Sequence, residues 1–131
     1  MSYAIEKTTV EQAISGASSI SSIKTVYDNV RYEGEDSEWI RVTLLPAKAD
    51  QISLGPSPYF RYWGVLVFQI FVKPNIGAGR AIAIADLISP IFRAQKIGTI
   101  TFRTPTLKVI GDDSKAEWFQ VNLSVNFFRE E

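Results

Sequence analysis

The most regular pattern in the chain is EWFQVNLSVNFF, residues 117–128. Large apolar residues occupy every second position: Phe119, Val121, Leu123, Val125 and Phe127. Successive side chains of a strand point to opposite faces of its sheet, so this pattern predicts a strand with one face on a core. The other face carries an uncharged polar row, Gln120, Asn122, Ser124 and Asn126. Such a row suits a subunit contact or an ordinary solvated sheet face, and the sequence leaves both open.

A second strand is predicted from Arg61 to Lys73, and it is apolar on both faces. One face has Tyr62, Gly64, Leu66, Phe68, Ile70 and Val72, and the other has Trp63, Val65, Val67 and Phe71, interrupted by Gln69. Such a strand is either central and covered on both sides, or its second face meets another subunit.

The other elements follow from shorter patterns. Helices are predicted over 3–17 and 79–96, and strands over 39–45, 98–104 and 106–111, with a short extended piece at 23–27. Pro46 is expected to end its strand and open a long loop over 46–58, and Pro90 to kink or break the second helix. The order predicts one α+β domain over residues 1–131, with a mainly antiparallel sheet, one main helix on it and an N-terminal helix. The residues expected to be buried together are Phe68, Ile70, Leu87, Ile91, Leu123 and Val125.

Composition removes several classes of function. The chain has no histidine and no cysteine, which excludes Ser-His-Asp and Cys-His catalysis and zinc-thiolate sites. Lys plus Arg equals Asp plus Glu at 14 each, so no overall field attracts nucleic acid or an anionic membrane. The longest strongly apolar stretch, 62–72, falls short of the roughly 20 residues of a membrane span. We therefore expect no enzyme, no cofactor and no membrane partner.

Gly77-Ala78-Gly79-Arg80 lies where a strand gives way to a helix, a place where glycines can hold a phosphate. A dinucleotide fingerprint needs a third glycine where this chain has Ile82, and the Gly-Lys-Ser/Thr of a P-loop is missing. We favour a simple turn, with a positive φ at Gly79, over a small nucleotide-binding protein.

The densest charge cluster is EGEDSE, residues 33–38. Its four carboxylates, Glu33, Glu35, Asp36 and Glu38, match no calcium-loop spacing, so no metal site is predicted. They form either a solvated loop or a charged face for assembly. The predicted assembly residues are these four with Trp63, Gln120, Asn122 and Asn126.

Several short motifs follow one another along the chain in a characteristic order. They are Tyr27-Asp28-Asn29, Trp39-Ile40-Arg41-Val42, Arg61-x-x-Gly64, Phe68 to Val72, Gly77-x-Gly79, Ala85-Asp86-Leu87, Ile100-x-Phe102, and Trp118 to Phe127. Over residues 24–128 this order resembles the phage tail terminator family, small proteins similar to the minor tail protein U of lambda-like phages.

The resemblance implies a structural subunit without catalytic residues that forms a ring, typically a hexamer. The ring caps the head-proximal end of the tail tube, stops its polymerisation and offers a surface to the head connector. The implied partners are further copies of the chain, the tube protein and the connector, with room for genome DNA to pass but no sequence-specific nucleic-acid binding. The implied location is the virion tail, after assembly in the host cytoplasm. A neighbouring neck or tail-completion role is the alternative.

Overall fold

The computed structural model describes residues 3–28, 38–73, 78–112 and 118–131. The helices are α1 (Tyr3–Ser15) and α2 (Gly79–Phe92), and a short 3-10 helix spans Ser18–Ile20. The strands are β1 (Lys24–Tyr27), β2 (Trp39–Gln51), β3 (Phe60–Val72), β4 (Lys96–Ile97), β5 (Ile100–Phe102), β6 (Thr106–Asp112) and β7 (Phe119–Glu130).

All these strands form one sheet, in the order β1-β2-β3-β7-β5-β4. The predicted alternating strand, β7, is its centre, because β3 pairs along one of its edges while β5 and β6 share the other. The pairings are antiparallel except for the parallel pair β1–β2. The prediction of an α+β domain with a mainly antiparallel sheet is confirmed.

The two faces of the sheet differ. On the core face, rows such as Ile40, Ile70 and Val121 lie side by side across β2, β3 and β7. Both helices pack there, α1 through Val10 and Ile14, and α2 through its own buried residues. We call the opposite side, which carries Trp63 on β3 and Asn122 on β7, the outer face.

The buried stripe of α2 differs from the predicted one. Its buried residues are Ala81, Ile84, Ala85, Ile88 and Phe92. Leu87 was expected in the core but is 38% exposed, and Ile91 is only partly buried. The two alanines let the helix approach the sheet closely on their own side, which rotates Leu87 away from it. The other four expected core residues, on β3 and β7, are buried.

The strand β2 is longer than predicted. It continues through Pro46 to Gln51, with an irregularity between Pro46 and Ala49, so the predicted loop over 46–58 shrinks to the tip of a β2–β3 hairpin. Pro46 is compatible with the strand because, among the described residues, β1 covers β2 only as far as Val42, and the β2–β3 pairing becomes irregular directly after Pro46. Sheets admit proline at edges and bulges.

The helix α2 is one uninterrupted element with Pro90 in its last turn, and it ends at Phe92. Of the two predicted effects of Pro90, a break into two helices is wrong, and a kink stays a prediction. A proline one turn from the end removes a single backbone hydrogen bond, and the N–H of Arg93 still donates to Ser89. Ala94 then takes a left-handed φ of 55°, and the chain turns into β4 instead of continuing as helix to residue 96.

Candidate assembly surface

The outer face presents both apolar and polar side chains. Among the described residues both helices lie on the other side of the sheet, and the outer side chains of β3, Val65, Val67, Gln69 and Phe71, are half-buried. A strand that is apolar on both faces therefore has a helix layer on one face only. Whether this face meets another subunit, the second arrangement that the sequence of β3 allowed, stays a prediction.

An amide row runs beside these apolar residues. Asn122 lies opposite Gln69 and accepts a 2.8 Å hydrogen bond from Nε2 of Gln120. Asn126 lies opposite Val65 and is exposed. The centre of the outer face thus combines aliphatic side chains from β3 with uncharged amides from β7, which cost less to desolvate than charges when the contact hydrogen-bonds them.

Trp63 lies at one end of the outer face, and cations surround it. Lys48, Arg61 and Arg103 lie 5.7, 5.6 and 5.4 Å from its ring centroid, and Phe128 packs 5.3 Å away. The indole Nε1 is buried and has no hydrogen-bond acceptor among the described residues. Trp and Arg are the residues most enriched at the energetic centres of protein interfaces.

A second aromatic cluster lies at the opposite end of the outer face. Trp39 stacks on Phe71 with centroids 4.3 Å apart and meets Trp118 edge-on at 6.3 Å. Val26 of β1 is buried with them. Lys73 lies 4.5 Å from the Trp118 ring. The two aromatic clusters therefore bracket the amide and aliphatic centre.

The acidic assembly residues behave differently. Glu33, Glu35 and Asp36 lie outside the described residues. Glu38 accepts hydrogen bonds from Nε of Arg80, at 2.9 and 3.0 Å, in a fork-like ion pair. These hydrogen bonds lower the pKa of Glu38 below its ordinary value of 4.5, against the opposing effect of partial burial. The structure thus brings Trp63, Gln120, Asn122 and Asn126 onto one face, while Glu38 is tied to the start of α2.

The same ion pair bears on the glycine turn. Arg80, the cation that a phosphate at this turn would use, is bound to Glu38. Gly79 is the first residue of α2, and its φ is not positive, so the expectation of a left-handed conformation there is wrong. Gly77 lies outside the described residues. The arrangement favours a structural turn over a nucleotide site.

The β2–β3 hairpin extends the sheet into an exposed arm. Beyond Leu44 the side chains of β2 are exposed, and the tip displays Ile52, Leu54 and Tyr59 at 41, 93 and 60% exposure. The tip is held by Ile52 N–H donating to the Tyr59 carbonyl at 2.9 Å. The N–H of Tyr59 donates to the Ser53 hydroxyl at 2.7 Å. A closed hairpin with a bare leucine at its tip is suited to contact another molecule.

Sequence reasoning missed the surroundings of Trp63. Arg61 and Arg103 are far apart in the chain, and only the pairing of β3 with β7 and of β7 with β5 brings them together around Trp63 and Phe128. The one local signal was the spacing of Arg61 and Trp63, which puts both on the same strand face.

Within the described ranges no cluster of acidic side chains is arranged to hold a metal ion. In the same part of the chain no helix has the length and apolar character needed to cross a membrane.

The described part of the chain is a small α+β subunit whose sheet carries a helix layer on one face only. The family model for phage tail terminator proteins matches residues 5–127, so the chain belongs to that family. Members are structural, not enzymatic, components of the phage tail.

A solved structure is similar to this chain with a TM-score of 0.65 over 94% of both chains, at 12% sequence identity. At that identity the similarity concerns the fold alone. The search of curated protein sequences found no match.

Proposed function

We propose that the protein forms a ring, typically a hexamer, on the head-proximal end of the phage tail tube. The ring ends tube polymerisation and presents its other side to the head connector. Membership of the terminator family supports the tail role. The ring, its subunit number and its partners extend that role by resemblance.

The outer face, on which the described residues place no helix, is the observation that carries the proposal. Half-buried Val65, Val67 and Phe71 stand beside an uncharged amide row, with an aromatic cluster at each end. A soluble monomer normally covers or charges such a surface, whereas a subunit of an assembly keeps it for a neighbour. The outer face and the hairpin arm together give each copy two different surfaces, as a ring and its axial partners require.

Tails from phage lacking the gene test the function directly. A terminator predicts tails of abnormal length, because nothing stops tube growth. A neck or tail-completion protein predicts tails of normal length that do not join heads. Electron microscopy separates the two outcomes, and normal tails fully joined to heads would eliminate both roles.

A point substitution then tests the outer face. Val67→Lys introduces a charge at the centre of this face, and we expect the variant to fold and to lose capping in a complementation assay. Ile5→Lys is the matched control, because Ile5 is an apolar residue of α1 that is 47% exposed. Capping by Val67→Lys equal to that of Ile5→Lys would show that the outer face is solvent-facing in the assembled tail.

Nucleotide binding is the competing hypothesis from another class. A ligand that binds only the folded state raises the midpoint of thermal unfolding. We expect no such rise with nucleotides, because Arg80 is occupied by Glu38. A rise that disappears in Arg80→Ala would favour the nucleotide site instead.

A further inference from the structure

The strand β6 has an uncovered edge. It pairs with β7 on one side, and among the described residues no strand pairs with its other side. Leu107, Val109 and Ile110 are 40, 53 and 45% exposed. An apolar edge strand of this kind is a template for another strand, and proteins normally protect it. Here Pro105 and the irregularity at Gly111 limit the free edge to a few residues.

The strand β1 offers a second free edge at the opposite side of the same sheet. It pairs in parallel with β2, and its other side has no strand partner in the described part of the chain. The strand directions alternate from β2 through β3 and β7 to β6, so β1 and β6 run in opposite directions. Two copies placed side by side in the same orientation would therefore meet as an antiparallel pair.

The two free edges also lie at the same level along the strands. One row of paired residues connects Thr25, Ile40, Ile70, Val121 and Val109 across the sheet. Another row connects Tyr27, Val42, Phe68, Leu123 and Leu107. A rotation about an axis parallel to the strands would bring these rows into line, with Thr25 opposite Val109 and Tyr27 opposite Leu107 of the next copy.

The side chains of the two edges are complementary. Thr25 and Tyr27 share rows with core-face residues, as do Val109 and Leu107, so both sets belong to the same side of the sheet. Tyr27 borders a largely apolar cleft of about 220 Å³ between α1 and β2, which Val10, Val42 and Leu44 also line. Leu107 of a neighbour, placed opposite Tyr27, would lie at the mouth of this cleft and bury part of its exposed apolar surface there.

From this geometry we propose that β6 of one copy adds antiparallel to β1 of the next, with Val109 opposite Thr25, so that the sheet continues from subunit to subunit. The contact joins two different edges and is therefore heterologous, the type that closes into a ring. The inference rests on the proposed ring and names the strands that build it. It assigns the exposed apolar residues of β6 to a second copy of this chain.

Disulfide trapping tests the contact, because the chain has no cysteine of its own. Thr25→Cys and Val109→Cys are made as separate proteins and oxidised alone or mixed, both in concentrated solution and after incubation with tail tubes. Residues directly opposite in an antiparallel pair have the Cα separation that a disulfide needs.

We expect cross-linked dimers in the mixture and essentially none in either variant alone, since Thr25 never meets another Thr25 in a heterologous contact. The enrichment should be on the order of 10²-fold, because pairing raises the local thiol concentration to the mM range. A chain carrying both substitutions should give a ladder of oligomers. Mixing Thr25→Cys with Lys108→Cys is the face control, because Lys108 shares a row with Asn122 on the outer face.

Cross-linking no stronger in the Val109 mixture than in the Lys108 mixture would overturn the proposed contact. If rings are then still seen by electron microscopy, the ring uses other surfaces and the proposed function stands. If neither rings nor cross-links form on tail tubes, the ring itself is wrong. Val109→Lys also separates a failure of this contact from a failure of the fold. It should abolish ring formation while leaving the circular dichroism spectrum and thermal midpoint unchanged.

Discussion

At the scale of single residues, two glycines differ in whether the structure has room for a side chain. A Cβ on Gly64 would lie 2.9 Å from Cε2 of Phe127 and overlap the tip of that ring, because Phe127 packs directly across the glycine. A Cβ on Gly79 would meet nothing within 4 Å. Gly64 is thus required for close packing, whereas Gly79 only adds flexibility to the unfolded chain.

We therefore predict opposite signs for the same substitution. Gly64→Ala should lower the free energy of unfolding by about 1–3 kcal/mol, the usual cost of overpacking a core. Gly79→Ala should raise it by about 0.4–1 kcal/mol. Denaturant titration of both variants measures the pair, and a loss of stability in Gly79→Ala would show that the helix start has a conformational demand not visible in its φ.

A buried ion pair joins the two ends of the chain. Nε of Arg129 on β7 donates to Oε2 of Glu6 on α1, and the two side chains are only 4 and 1% exposed. Arg129 also donates to Glu131 at 2.8 Å and lies 4.2 Å from the Tyr62 ring. The pair fixes how α1 sits on the sheet.

Removing one partner should be costly. Glu6→Ala leaves a buried guanidinium with a single carboxylate partner, and we expect a loss of about 3–5 kcal/mol. The double variant Glu6→Leu, Arg129→Met should lose less than Glu6→Ala, because no buried charge remains. Chemical denaturation of the single and double variants checks this, and a double variant less stable than the single one would contradict it.

The pair Glu38–Arg80 predicts a pH dependence. The folded-state pKa of Glu38 lies below its ordinary value, so the pair stabilises the protein above about pH 4.5 and loses this contribution as the pH falls through the lowered pKa. Because both side chains are partly exposed, Glu38→Gln should cost only about 0.2–1 kcal/mol at neutral pH. That difference should vanish in acid. An unchanged difference at low pH would mean that Glu38 acts through packing and not through its charge.

At the scale of elements, α2 shows which face the sheet covers. Ile88→Ala should cost about 2–5 kcal/mol because Ile88 is fully buried against the sheet. Leu87→Ala, at the preceding position of the same helix, should cost clearly less because Leu87 is 38% exposed. Equal costs would require a partner or another segment to cover Leu87.

The elements also show how far the sequence alone could lead. The strict alternation of apolar and polar residues in β7 predicted both the strand and its buried face. A two-residue period fits a half-buried strand and does not fit a helix. The helix α2 carries more apolar residues than one face can bury, so the pattern could not choose between Leu87 and the small Ala81 and Ala85. Pro46 could not be placed either, because its tolerance depends on β1 ending early beside β2, a long-range pairing absent from any local window.

The candidate surface was predictable to a similar extent. The amide row of β7 and the position of Trp63 on one face follow from strand periodicity. Their juxtaposition with Arg103 and Phe128 depends on which strands pair, and the pairing of Glu38 with Arg80 joins residues 42 positions apart. Contacts of that range are set by topology, which single-sequence patterns do not encode.

At the scale of the whole molecule, we expect charged and apolar surfaces to make different contacts in the assembly. In the proposed assembly, the edges of β1 and β6 provide the uncharged contact between copies. The acidic run 33–38 is a natural candidate for contact with an axial partner, since opposite charges fix register and like charges reject wrong partners. Glu38 is paired with Arg80, whereas Glu33, Glu35 and Asp36 lie outside the described residues and stay predicted contacts.

The triple variant Glu33→Gln, Glu35→Gln, Asp36→Asn isolates this contribution and keeps the ion pair of Glu38 intact. A solvated acidic run, one of the two alternatives that the sequence predicts, contributes little to stability, so we expect an unchanged thermal midpoint. Capping of tail tubes should weaken at low ionic strength, and the difference from the natural protein should fade near 1 M salt, where screening acts within about 3 Å. Tail-length distributions from in vitro assembly at both ionic strengths provide the measurement. If the triple variant caps tubes as well as the natural protein at low salt, the acidic run is a solvated turn. The hairpin tip with its exposed Leu54 then becomes the candidate for the axial contact.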